Sequence, residues 1–139
     1  MAHSHSFDME IKTDGLTQFD HSIDELTAAV PGIVSESTLG AARLTIKAAR
    51  PTVPVRSGKT ADSLRAYATG QTGIAEGGNT VDHYRWLELG GRSGRHLKLI
   101  RSIVTEGRYI HPGYEKQQEA IQALMNDVLN AKVHSVGLS

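Results

Sequence analysis

The side chains that could do chemistry in this sequence are seven histidines and one unusually placed carboxylate. His3, His5, His21, His83, His96, His111 and His134 include no HExxH pair and no two at i, i+4 spacing, so no two of them line one helix face as metalloprotease ligands do. His3 and His5 beside the amino terminus suit weak divalent-metal capture, but a short polar tail is the simpler reading. His83, Glu88 and His111 could converge on a metal or a hydrolytic centre, although nothing in their spacing requires it. Glu88 follows the run Tyr84-Arg85-Trp86-Leu87 and stands just before Gly90-Gly91. Pairing with an arginine, or capping of exposed backbone N–H groups, is expected of it before general-base work. Arg56-Ser57-Gly58-Lys59-Thr60 ends like a P-loop, but the first glycine of that loop is replaced by Val53. No GxGxxG follows a strand and no GxSxG elbow occurs. The chain has no cysteine, which excludes disulfides, thiolate catalysis and cysteine-based zinc sites. The expectation is a chain with no catalytic residue, no metal and no cofactor, and not an enzyme.

The elements that must position these groups are legible from periodicity. Phe7–Lys12 alternates apolar and polar residues as a short strand does, and Thr13-Asp14-Gly15 breaks it. Leu16, Phe19, Ile23, Leu26 and Val30 recur at helical spacing. Pro31 then predicts a break or kink, with a second helix from Pro31 to about Arg50 whose interior (Gly40, Ala41, Ala42, Ala48, Ala49) is small enough for another element to approach closely. Pro51 ends that helix. Ala61–Thr69 reads as a strand, Gly70–Gly73 as a turn and Gly73–Glu76 as the returning strand of a hairpin. Val81–Leu89 fits either a strand or a short helix. Residues 91–108 read as a long basic loop, with a short helix at Leu97–Thr105 as one option. The row Tyr114, Gln117, Ile121, Leu124, Val128, Ala131 marks the final amphipathic helix. The expected fold class is α+β: one domain over residues 1–139, with a small antiparallel sheet packed against two or three helices, flexible ends at 1–6 and 133–139, and the extended loop at 91–108.

The 139 residues suffice for one core, but aromatics make up only 5%, so that core is thin and some elements invite partners. Net charge is zero, which favours association and gives no global sign of a nucleic-acid binder. Locally the charge separates. Residues 1–38 carry Asp8, Glu10, Asp14, Asp20, Asp24, Glu25 and Glu36 against Lys12 alone, whereas residues 90–108 carry Arg92, Arg95, Lys98, Arg101 and Arg108 against Glu106. Ordinary solvated faces would explain this, and so would a head-to-tail contact in which an acidic edge meets a basic one. No run approaches the roughly 20 apolar residues of a membrane span, and Met1–Phe7 has no basic-then-apolar signal pattern. Use in a cytoplasm, or packaging from there into a particle, is expected.

Three segments in this order carry a resemblance. Ala48-Ala49-Arg50-Pro51 leads into Val53-Pro54-Val55-Arg56-Ser57-Gly58-Lys59-Thr60-Ala61-Asp62-Ser63-Leu64; then comes Tyr84-Arg85-Trp86-Leu87-Glu88-Leu89-Gly90; then Tyr109-Ile110-His111-Pro112-Gly113-Tyr114. Together they resemble the neck, or tail-completion, proteins of long-tailed bacteriophages over roughly residues 8–131. Departures from that pattern are Ser57 in place of threonine, the longer approach Lys59–Asp62, Gly91 in place of threonine, and the longer stretch to Arg108. The resemblance implies a structural virion protein at the head–tail junction, assembled in the host cytoplasm. Such a protein forms a ring, six subunits being favoured over twelve, that joins the connector to the tail or terminates the tail tube. The implied partners are other copies of the chain, head connector or stopper proteins, tail tube or terminator proteins, and genomic DNA passing through the lumen, with no membrane. The assembly candidates are Pro51, Gly58, Leu64, Tyr84, Trp86, Glu88 and Gly90. Arg92, Arg95, Lys98, Arg101 and Arg108 are candidates for contact with an adjacent ring or with DNA, protein being favoured because a channel that passes DNA should not grip it. The alternative is a small nucleic-acid-binding module using the basic 91–108 stretch, whose binding would weaken steeply with salt.

Overall fold

A computed structural model describes residues 14–54, 58–78, 83–94, 96 and 98–138. The strand expected at Phe7–Lys12, the flexible start at 1–6 and Arg95 lie outside those residues. The fold class is α+β, as the periodicity implied. In chain order the elements are α1 (Asp14–Ala49), a 3-10 turn (Arg50–Thr52), α2 (Lys59–Asp62), β1 (Arg65–Thr69), β2 (Thr72–Glu76), α3 (Tyr84–Leu89), β3 (Gly91–Ser93), β4 (Leu99–Arg101), α4 (Ile110–Lys116) and α5 (Gln118–Ser135). Instead of one sheet there are two antiparallel hairpins, β1–β2 and β3–β4.

Helix α1 is the spine, and it corrects the expectation of a break at Pro31. It runs unbroken through that proline for 36 residues, on the order of 54 Å at 1.5 Å per residue. Proline removes one N–H and crowds the carbonyl four residues earlier. Here packing outweighs that cost, because α5 lies against α1 on both sides of the proline. Ala28, Ala29, Gly32, Ile33 and Glu36 share a groove with Val128, Ala131, Lys132 and Ser135. Further along, Gly40 faces the Leu124 side chain with no room for a Cβ, which is the close approach expected of the small interior. At the other end Phe19 and Ser22 line a groove together with Gly137 and Leu138. The order of these contacts makes α5 antiparallel to α1. Within the stretch 133–139 expected to be flexible, the helix continues to Ser135 and Val136 is buried.

The first hairpin pairs Arg65 with Glu76 and Thr69 with Thr72, starting one residue before the expected return strand. Gly70, at φ 58, is the first of its two loop residues, the position where a II′ turn requires positive φ. Ser35 Oγ donates to the Gly70 carbonyl at 2.7 Å and Thr38 Oγ1 to that of Gln71 at 3.2 Å, tying the hairpin's turn to α1. The core closes at the carboxyl end of α1, where Ile46, Ala49, Val53, Leu64, Tyr84 and Tyr109 pack together, with Ala66, Ala75, Leu87 and Ile110 at its edge. The run ending at Leu89 takes the helical option as α3. The expected helix at Leu97–Thr105 is absent from the described residues, and the segment 91–108 is not one long loop. Arg92 pairs with Ile100 and Ser93 with Leu99, so its first half folds back on itself before a turn leads to α4. The final helix begins earlier than its apolar row, at Ile110, and is interrupted at Gln117.

Candidate functional site

The most constrained polar group is Glu88, near the end of α3 and 9% exposed. Its carboxylate accepts three hydrogen bonds. Tyr84 Oη donates to Oε2 at 2.8 Å, and the backbone N–H groups of Tyr109 and Ile110 donate to Oε1 at 3.1 and 3.2 Å. The two amides are orphan donors at the start of α4. Glu88 therefore caps that helix from 21 residues away, the second of the two roles its position in the sequence suggested. Its own carbonyl accepts from the Arg108 backbone N–H at 3.0 Å. Gly107, at φ 90, sits directly on Oε1, so that a Cβ there would overlap the carboxylate. Burial, together with the hydrogen bond to Glu88, pushes the Tyr84 hydroxyl far above the ordinary tyrosine range and keeps it a donor.

Around this clamp the basic segment divides. Arg101 Nη2 donates to Tyr109 Oη at 2.8 Å and its guanidinium lies 5.6 Å from the Trp86 ring centroid. Arg108 donates to the carbonyls of Glu88 and Ser102 and, at 2.9 Å, to Ser102 Oγ. Trp86 Nε1 donates to the Gly91 carbonyl at 2.9 Å. Two of the five expected loop contacts thus hold the protein together, whereas Arg92 and Lys98 are exposed and have no partner among the described residues.

The residues marked for assembly mostly build the monomer. Leu64, at 2% exposure, Tyr84 and Glu88 are buried. Gly90, at φ 85, abuts the Ser102 carbonyl, and Gly58, at φ 78, starts α2. Pro51 sits exposed in the 3-10 turn, and Trp86 is half-buried under Arg101. The structure does not gather His83, Glu88 and His111 into one ligand cluster. His83 is exposed ahead of α3 and Glu88 is committed to its donors, while His111 contacts Glu106 and Glu115.

What the sequence reading missed is the surface. Leu99, Ile100, Ile103 and Val104 on and after the second hairpin are exposed, Ile100 by 71% and Ile103 by 74%. At the other end of the spine Leu16, Phe19, Ile23 and Val30 form an exposed row along α1. The apolar spacing of that row was visible, but periodicity alone assigns such a row to the core. The amino-terminal half of α1 has no lysine or arginine before Arg43 and carries Asp20, Asp24 and Glu25, while residues 90–105 contain no acid. The second hairpin is held through Trp86 and Tyr109 to the end of α1 that contains Ile46 and Ala49. Phe19 lies roughly 40 Å from Ile46 along the helix. The two apolar surfaces, one acidic and one basic in its surroundings, therefore stand at opposite ends of the molecule. No described helix is long and apolar enough to cross a membrane. Comparison with protein-family models, with curated proteins and with solved structures found no match.

Proposed function

We propose that this chain is a structural subunit of a bacteriophage head–tail junction, a neck or tail-completion protein that closes into a ring with further copies of itself. It has no catalytic step. The observation that carries the reading is the pair of exposed apolar surfaces at opposite ends of α1, flanked by charge of opposite sign. Exposed apolar side chains gathered at each end of the molecule mark contacts to be made. Two surfaces at opposite ends of one long helix cannot satisfy each other within a subunit. A contact between unlike faces of neighbouring subunits is heterologous, and such contacts close into rings when the rotation permits. The order of the three motif segments supplies the biological setting, in which connector and tail proteins flank the ring and DNA passes through it in the virion. Internal use of Arg101 and Arg108 favours protein over nucleic acid as the neighbour of the second hairpin, because only Arg92 and Lys98 among the described basic residues of that segment are left to meet phosphate.

The test is the solution mass by light scattering, alone and with the adjoining connector and tail-tube proteins, for the wild type, Phe19→Asp and Ile100→Asp. A hexamer or dodecamer is expected of the wild type, alone or after mixing. Each variant, altered at an exposed side chain, should keep its far-ultraviolet spectrum and fail to form the ring. An equimolar mixture of the two variants should give a dimer and nothing larger, since only one pair of intact faces remains. A wild-type monomer that ignores both partner proteins and binds nucleic acid at moderate salt would refute the proposal and favour the nucleic-acid module.

A further inference from the structure

We propose that Glu106, His111 and Glu115 form a binding site for a divalent transition-metal ion of the zinc class. His111 and Glu115 lie one turn apart on the same face of α4, and Glu106 reaches them from the turn before that helix. Glu106 Oε2 stands 3.4 Å and Glu115 Oε1 3.1 Å from the same ring nitrogen, His111 Nε2. The three ligand atoms all lie within 4.8 Å of one another. A ring nitrogen carries at most one proton, so hydrogen bonding directs one carboxylate to it well and leaves the second poorly served. Two carboxylates converging on one imidazole nitrogen are also placed as a shared cation would need them. Nitrogen and oxygen ligands at about 2.0–2.2 Å from a tetrahedral ion are separated from each other by about 3.4 Å, close to the two distances from His111 Nε2 to the carboxylates. Among the described residues neither glutamate has a lysine or arginine partner to neutralise it.

The donor set narrows the ion. One imidazole with two carboxylates suits zinc, cobalt, nickel or manganese, whereas magnesium and calcium prefer oxygen alone. Glu106 and His111 also line a groove of about 680 Å³ bounded by Thr38, Thr45, Ile121 and Met125, which leaves room for water or another ligand to complete the coordination. An ion held there would fasten the turn at Glu106 to α4, next to the helix start that Glu88 caps.

The experiment is a titration of the full chain with Co²⁺, read by its visible absorption, beside thermal unfolding with and without Zn²⁺. The wild type, His111→Ala and Glu115→Gln are compared. Both substitutions are at accessible positions, and unchanged unfolding of the metal-free variants checks that the fold is kept. The wild type should bind one equivalent more than His111→Ala, and Zn²⁺ should raise its melting temperature. Glu115→Gln should weaken that equivalent at least tenfold. Equal stoichiometry and affinity in all three proteins would overturn the proposal, the ion then being held elsewhere, for example by His3 and His5.

Discussion

Replacing Glu88 tests whether one carboxylate joins α3 to the start of α4. In Glu88→Ala three donors lose their acceptor at once: Tyr84 Oη and the amides of Tyr109 and Ile110. Each buried donor left unpaired costs about 1–3 kcal/mol, and water entering the vacated space keeps the total towards the low end, about 3 kcal/mol. For a chain of 139 residues that lowers the melting temperature by about 10 °C. Glu88→Gln behaves differently. The amide oxygen still faces both backbone N–H groups, and its NH2 faces Tyr84 Oη, which turns from donor to acceptor. Only the charge assistance is lost, about 1 kcal/mol or about 3 °C. The assay is urea unfolding followed by the fluorescence of Trp86, the chain's only tryptophan, at a protein concentration held constant so that assembly does not shift the midpoint. Equal losses in the two variants would refute the geometric account and leave charge alone as the cause. A loss below 1 kcal/mol in Glu88→Ala would show that the cap does not hold α4.

Two other perturbations follow from the same structure. Pro31→Ala should stabilise the protein by about 2 kcal/mol, the roughly 3 kcal/mol interior penalty offset by about 1 kcal/mol from a less restricted unfolded chain; an unchanged or lower urea midpoint would show that the α1–α5 contact depends on the proline. The Tyr84 hydroxyl is held neutral by burial and by Glu88, so its folded value lies above the unfolded value of about 10. Above that pH the unfolded chain releases a proton that the folded chain retains, so stability is full below about pH 10 and falls as pH rises beyond it. Tyr84→Phe should flatten that fall in urea midpoints measured from pH 8 to 11.5, and an identical slope in both proteins would contradict the assignment.

The parts of the fold legible in the sequence are those governed by local rules. The first hairpin follows from alternation around Gly70, and α5 from one apolar row, because neighbours along the chain decide both. Pro31 misled for a physical reason. A proline's penalty is local and can be read directly, whereas the packing of Val128 and Ala131 across it comes from residues about a hundred positions away. The segment 91–108 misled in the same way. Glycines and arginines describe a loop, but Arg101 and Arg108 find Tyr109, Trp86 and the Glu88 carbonyl only once α4 has folded back. Glu106 and Glu115 carry no signal in the sequence, because their relation to His111 depends on a turn and on one helical repeat, and the spacing resembles no established ligand motif.

Motif residues attract functional readings because they are unusual, and what is unusual about them here is conformational. Gly90 and Gly107 take positive φ where another chain segment presses against them, and Glu88 and Tyr84 are polar groups that must be buried together. Those are requirements of folding one subunit. A contact between subunits makes the opposite demand, for ordinary apolar side chains left uncovered, and Phe19 and Ile100 meet it without any local signature. The two sets of residues are nevertheless mechanically linked. The second hairpin that presents Ile100 is fixed to the spine by Trp86, Arg101 and the Gly90–Ser102 contact, so the buried joint sets the angle at which the exposed surface is offered. Closure of the proposed ring would depend on that angle, since a heterologous contact rotated slightly wrongly propagates into an open filament. If the proposed ring forms, substitutions in the joint that leave the monomer folded should therefore alter its closure before they abolish the contact itself.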